Sequence, residues 1–385
     1  MKKNIIITAV LTYLVSSIAV FGVFSALNPL GGAGQVATQN DEETALGSLL
    51  AIDPSAPKDQ ICPLNGALYT QAERDAWEQR RPLAVMIENS PDARPQSGLS
   101  NADVVFEALA EGGVTRFMAL FYCDVQAEDT TLAPIRSART YYIDWASGFN
   151  YPLYVHVGGA NLPGPTNALG QLDQYGWSQQ NDLNQFSIGY PTFVRNAGRL
   201  GRPVATEHTM ETTTEKLWEV GDARGWTNTS PNGKEWSDGY TEWSFADGAP
   251  ISTPDASSLS YLFWTGYNDY SVAWSYDAAT NTYQRSMAGA AHTDLNNDAQ
   301  LTVSNVVVLQ TNERGPLNEL KHMLYDTTGT GEALVFQNGT VVETTWSKPT
   351  RESQISFTVN GKPVQFVRGP IWISVLDTSR EVSYN

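Results

Sequence analysis

Cysteine is almost missing from this chain. Only Cys62 and Cys123 occur in 385 residues, which excludes a cysteine zinc cluster and leaves room for a single disulfide. Two arrangements stay open: a bridge pinning the lead-in at Cys62 to the strand ending at Cys123, or two separate buried thiols. Histidine is scarce too, with four residues and no HExxH pair. A metal held by His156, His208 and a glutamate has no motif behind it, so neither metal nor cofactor is expected. No GxSxG elbow occurs, and Gly329-Thr330-Gly331 lacks the lysine and following helix of a phosphate loop. Asp294, Asn296 and Asp298 begin like a calcium loop, but Ala299 and Asn305 stand where glycine and glutamate are required. Positive charge is short overall: 24 Lys and Arg against 41 Asp and Glu give a formal -17. That balance argues against nucleic acid, whose affinity rests on cationic contacts to phosphate. Lysine vanishes altogether between Arg81 and Gly159, where five arginines and nine acidic residues remain.

That last bias marks a site. Arginine is chosen over lysine where a planar, permanently charged fork must hold a carboxylate or phosphate in fixed geometry. Around it, 41% hydrophobic content and abundant Trp and Tyr describe a globular chain long enough for two domains. Lys2 and Lys3 precede an uncharged stretch whose apolar heart, Ile5 to Leu27, is long enough to cross a bilayer once. A cleaved signal peptide is the rival, since Ser25 and Ala26 are small, but so long an apolar region favours an uncleaved anchor. The expected organisation is an anchor or signal segment over 1–27 and a flexible Gly/Ser/Pro/acid-rich tether over 28–61. An α/β domain over 62–225, a connection over 226–257 and a β domain over 258–385 follow.

Within the first domain, Pro82 to Ile87 reads as a strand, and Val104 to Tyr122 as a hairpin turning at Gly112-Gly113. Ser100 with Asp103 also makes a capping-box pattern that could start a helix. The β-branched and aromatic content favours the hairpin. Ser137 to Ser147 suits a short helix, Tyr151 to Val157 a strand, and Thr209 to Val220 a helix burying Leu217 and Trp218. From Ser258 onward nine short runs separated by signals such as Asn338-Gly339 and Asn360-Gly361 predict strands, arranged as a small sandwich or barrel. The fold class is therefore α+β: a mixed α/β domain, then a mostly antiparallel β domain.

A two-residue hairpin turn pairs Glu111 with Val114 and Leu109 with Arg116, which puts Glu107, Glu111 and Arg116 on one face. Such a cluster is either a structural ion network or a carboxylate with raised pKa poised for acid or base work. Arg136 and Arg139, three apart at a helix start, make an anion pocket or a lock of helix onto sheet. Arg94 and Gln96 can complete either. His156 and Glu88-Asn89 fall at strand ends, where ligands collect in α/β sheets. Glu207-His208 is a second candidate pair.

The segments RPLAVMIEN (Arg81 to Asn89), ARPQSGLSNADVVFEALAEGGVTRF (Ala93 to Phe117), IRSART (Ile135 to Thr140) and YVHVGGA (Tyr154 to Ala160) together resemble the YerB-like lipoprotein family, a bacterial family named for a domain of unknown function. The likeness runs from CPLNG at Cys62 to NGKPVQFVRGPIW near residue 372, and reaches the EHT segment at Glu207 only weakly. What it implies is architecture and compartment rather than an activity. This chain departs from the family in having no cysteine near its apolar segment, which leaves no place for a lipid there. The resulting expectation is a single-pass, membrane-anchored envelope protein with extracytoplasmic domains. It binds an anionic cell-wall ligand through Asn89, Arg94, Gln96, Arg116, Arg136, Arg139 and His208. The alternative is a hydrolase of wall polymers using Glu107 or Glu111 with His156, and a third reading docks an envelope protein on the β domain. No nucleic-acid partner is expected.

Overall fold

The computed structural model describes residues 49–229 and 231–385. The apolar segment and most of the expected tether lie outside them, and among the described residues no helix is long and apolar enough to cross a membrane.

Five strands come from the first half of the chain: β1 (Leu83–Glu88), β2 (Val104–Glu111), β3 (Val114–Phe121), β4 (Leu153–His156) and β5 (Asp182–Asn184). Every residue of β1 and nearly all of β2 and β3 are buried, the near-continuous apolar run expected of strands covered on both faces. The second half adds β6 (Ser258–Leu262), β7 (Ser271–Asp277), β8 (Thr282–Met287), β9 (Asn305–Thr311), β10 (Gly329–Gln337), β11 (Thr340–Lys348), β12 (Ser356–Val359), β13 (Lys362–Pro363), β14 (Ile371–Asp377) and β15 (Val382–Tyr384).

These second-half strands do not close into a sandwich or barrel of their own. One eleven-stranded sheet runs β13-β12-β11-β10-β9-β14-β2-β3-β1-β4-β5, joined where β14 lies parallel to β2 with Trp372 opposite Val105 and Ser374 opposite Glu107. A smaller antiparallel sheet holds β8, β7, β6 and β15. It covers one face of the large sheet, where Trp274 meets Trp372 edge-on at 5.6 Å and Phe117 meets Trp372 at 5.2 Å. The opposite face is covered by helix α1 (Thr140–Ser147), whose Trp145 stacks on Phe106 at 5.8 Å.

The hairpin forms as expected, with Gly112 at φ +55° and Gly113 at φ +91°, the left-handed pair a tight two-residue turn requires. Its register differs. The pairing slips between Leu109 and Glu111, so Thr115 faces Leu109 and Arg116 faces Ala108. This β-bulge at Ala110 sends Glu107 and Glu111 to opposite faces of the sheet. Helix α1 starts at Thr140 rather than Ser137, because the preceding residues are drawn into bridges: Ile135 with Ile87 and Ala138 with Gly159. Residues Met210–Thr213 are likewise strand, and only Thr214–Ala223 (α2) is helical, burying Leu217 and Trp218. Cys62 and Cys123 are bonded to each other, tying the lead-in to the end of β3.

Candidate functional site

Because the bulge divides the charged residues, they form two assemblies. The first lies between the two sheets and is closed. Glu107 accepts from Arg285 Nη2 at 2.7 Å, Thr115 Oγ1 at 2.9 Å and Trp372 Nε1 at 3.2 Å, and neither Glu107 nor Arg285 touches solvent. The Arg285 guanidinium sits over Trp372 and Trp274, 4.3 and 5.0 Å from their ring centres. Arg285 Nε donates to His292 Nδ1 at 3.0 Å, and His292 Nε2 bonds Gln96 Oε1 at 2.8 Å. Gln96 in turn donates to Asn89 Oδ1 at 3.0 Å and the Glu88 carbonyl at 2.9 Å. The chain is self-consistent: an arginine can only donate, so His292 is neutral and carries its proton on Nε2. Burial holds His292 well below the usual imidazole range, and Arg285 and Arg94 reinforce it. Burial also pushes the Glu107 carboxyl up, only partly offset by Arg285, Thr115 and Trp372.

The second assembly faces the other way and reaches water. Glu111 receives Arg116 Nη2 at 2.8 Å and a two-pronged Arg139 at 2.7 and 3.1 Å. Burial raises its carboxyl, but the two guanidiniums outweigh that and hold it down to about 2. Next to it, Glu88 at the end of β1 pairs with Arg136 Nε at 3.3 Å and His208 Nδ1 at 2.9 Å. Arg116 is shut in, with Nη1 on the Ser137 carbonyl and Nε without a partner. Arg136 and Glu111 are not: 26% and 27% of their side-chain surfaces stay exposed. Arg94 is bonded to Asn89 through Nε and Nη2 and lies 5.1 Å over the Tyr270 ring, beside the closed assembly of Glu107 and Arg285. Three guanidiniums (Arg116, Arg136, Arg139) thus stand around two carboxylates (Glu88, Glu111), a local excess of positive charge in an acidic chain.

Topology explains the location. Strand β1 is parallel to β4, and β4 to β5, so Glu88, His156 and Asn184 are all carboxyl-end residues of parallel strands. The segment ahead of α1 crosses over these ends, donating from Arg136 N to the Met86 carbonyl and receiving at the Pro134 carbonyl from Glu88 N.

Several expected roles change. Glu107 and Glu111 do not flank one space, and Glu107 is paired with a residue 178 positions away rather than with Arg116. Arg136 and Arg139 share no helix face, since both precede α1 in extended backbone. His156 is fully buried at the end of β4, with Nδ1 2.6 Å from the Gly158 carbonyl and Nε2 2.6 Å from Asp182 Oδ1, so both nitrogens are engaged and none is left for a substrate. Asn89 and Gln96 belong to the closed assembly; His208 belongs to the open one. Sequence reading missed Arg285, His292, Tyr270 and Asp182. No local motif surrounds them; only β-strand alternation in the YQR of Tyr283 to Arg285, which points Arg285 inward with Tyr283, carried any signal.

Residues 69–227 match the family model described as "Protein of unknown function (DUF3048) N-terminal domain", and residues 262–373 match its "C-terminal domain". The chain is 30% identical over 336 residues to a Bacillus subtilis (strain 168) protein described as "Putative lipoprotein YerB", covering 84% of this chain and 88% of that one. A crystal structure of the YerB protein from Bacillus subtilis superposes with a TM-score of 0.66 at 26% identity, covering 84% of this chain and 99% of that chain.

Proposed function

This chain belongs to the DUF3048 family, and from that premise and the geometry above we propose that it is an envelope protein holding an anionic cell-envelope ligand at the Arg136 mouth. The N-terminal apolar segment, Ile5 to Leu27 behind Lys2 and Lys3, serves as the membrane tether and leaves the folded part outside the cytoplasm. The Cys62–Cys123 bond fits an oxidising compartment, and a relative described as a lipoprotein fits the envelope.

One observation carries the reading. Arg136 keeps a quarter of its side-chain surface open and meets its carboxylate at 3.3 Å, the longest of the Arg–Glu contacts in the assembly, where Glu111 is held at 2.7 and 2.8 Å. A ligand phosphate or carboxylate takes the outer edge of Arg136, while Glu111 keeps Arg116 and Arg139 preorganised. The hydrolase reading is less well supported: the usual glycosidase pair of carboxyl groups across one bond is denied to Glu107 and Glu111 by the bulge, and His156 has both ring nitrogens engaged. Titration of the full-length protein with a soluble phosphate-bearing wall polymer tests the reading. Arg136→Ala is expected to weaken binding about tenfold, the loss of one charge-assisted contact. An affinity indifferent to that substitution contradicts it.

A further inference from the structure

Beside the Arg136 mouth, the chain from Gly158 to Phe193 contains nine Asn and Gln residues, two carboxylates and no Lys, Arg or His. Such a stretch is polar but nearly uncharged. It also carries the two most exposed large apolar side chains among the described residues, Phe186 at 75% and Tyr190 at 84%. Both belong to one short turn, helix Gln185–Ile188 and the residues that follow it.

That turn is held rigidly. Asn184 Oδ1 accepts from Phe186 N at 3.1 Å and from Gly158 N at 3.2 Å, Gly189 N bonds the Gln185 carbonyl at 2.8 Å, and Phe193 N bonds the Gly189 carbonyl at 3.0 Å. Thr212 Oγ1 pins the Thr192 carbonyl at 2.7 Å. The Phe186 ring lies directly against Gly158, where a β-carbon would come within 2.8 Å of it. Gly158 is bonded through its carbonyl to Ala138 N at 2.9 Å, and its neighbour Val157 donates to the Arg136 carbonyl at 3.1 Å. The aromatic turn is thus tied through Gly158 and Val157 to the backbone that carries Arg136. In the same turn Gln185 Oε1 is enclosed without a hydrogen-bond partner.

Two exposed rings on a fixed backbone, with the Gln185 amide in the same turn and Arg136 reached through Gly158 and Val157, match the recognition chemistry of a sugar. The apolar face of a pyranose packs on aromatic rings, and amide side chains bridge its neighbouring hydroxyls. Exposed rings gathered on one ordered surface turn are a feature of binding surfaces. We propose that Phe186 and Tyr190 form a stacking platform for the sugar ring of an acidic glycan whose phosphate or carboxylate is held by Arg136. This rests on the anion-binding reading above and names its ligand class.

The test compares inorganic phosphate, a hexose phosphate and the neutral hexose as probes in titrations of the full-length protein. The hexose phosphate is expected to bind at least tenfold tighter than inorganic phosphate. In the Phe186→Ala/Tyr190→Ala double variant that gain disappears while affinity for inorganic phosphate and the melting temperature stay as they were. If native protein binds both anions equally, or the double variant keeps the gain, the platform is refuted and the anion seat survives. If neither anion binds, both fall. If instead the double variant loses only binding to zwitterionic phospholipid vesicles, the rings belong to a lipid surface and the sugar is excluded.

Discussion

Glu107 and Glu111 are the same residue type four positions apart, yet one is sealed in an ion pair and the other sits at a solvent mouth. The difference follows from neighbours brought in from elsewhere: Arg285 and Trp372 around Glu107, Arg116 and Arg139 around Glu111. Truncating one partner of a buried pair leaves an uncompensated charge, so Glu107→Ala is expected to cost roughly 3–5 kcal/mol in chemical denaturation. For Glu111 the direction with pH is set by its lowered pKa. Its carboxyl titrates at about 2 in the fold against an ordinary 4.5. The unfolded chain therefore binds the extra proton first, and the stabilisation is complete above about pH 5 and is lost as pH falls through 2. Native protein is expected to be more stable than Glu111→Gln at neutral pH, with the gap narrowing between about pH 5 and pH 2 in thermal melts. A gap independent of pH contradicts the assignment. The residue types that matter were legible, since an arginine-rich, lysine-free stretch announces fixed ion geometry. Their partners were not: Arg285 reaches Glu107 across 178 positions, and nothing local encodes that contact.

Strands and turns were readable because they are written in short-range chemistry: β-branched runs, Gly112-Gly113, Asn338-Gly339 and Asn360-Gly361. The bulge at Ala110 was not, because one extra residue in a ladder leaves the apolar pattern of Val104 to Phe121 intact while flipping Glu111. The helix start moved for a related reason, as strand ends Ile87 and Gly159 compete for the backbone of Ile135 and Ala138. At this scale the staple matters most. The Cys62–Cys123 bond closes a loop with a sequence separation of 61, and loop-closure entropy gives it roughly 4 kcal/mol. Replacing both cysteines by serine is expected to lower the denaturation midpoint by a corresponding amount without changing anion affinity, since neither lies at the Arg136 mouth.

Across the whole described unit, the two family segments share one sheet. Strand β2 finds its parallel neighbour in β14, more than 260 residues later, and its Glu107 finds a counter-ion on β8. Periodicity cannot reveal such a partnership, and the second half alone reads like a free-standing β fold. A chain ended after residue 225 is therefore expected to remain unfolded or aggregate, with β2 left as an open edge and Glu107 unpaired; a soluble, cooperatively melting fragment contradicts this. The proposed function divides the labour in the same way, with the inter-sheet assembly holding the fold and the outward one as the proposed ligand seat. The most direct test measures phosphate affinity and melting temperature together in Arg136→Ala and Arg285→Met. The account predicts that Arg136→Ala loses about tenfold in affinity with its melting temperature nearly unchanged, whereas Arg285→Met melts lower but binds phosphate as the native protein does while folded. The reverse pattern, affinity lost with Arg285 and kept without Arg136, would place the ligand seat between the sheets and contradict it.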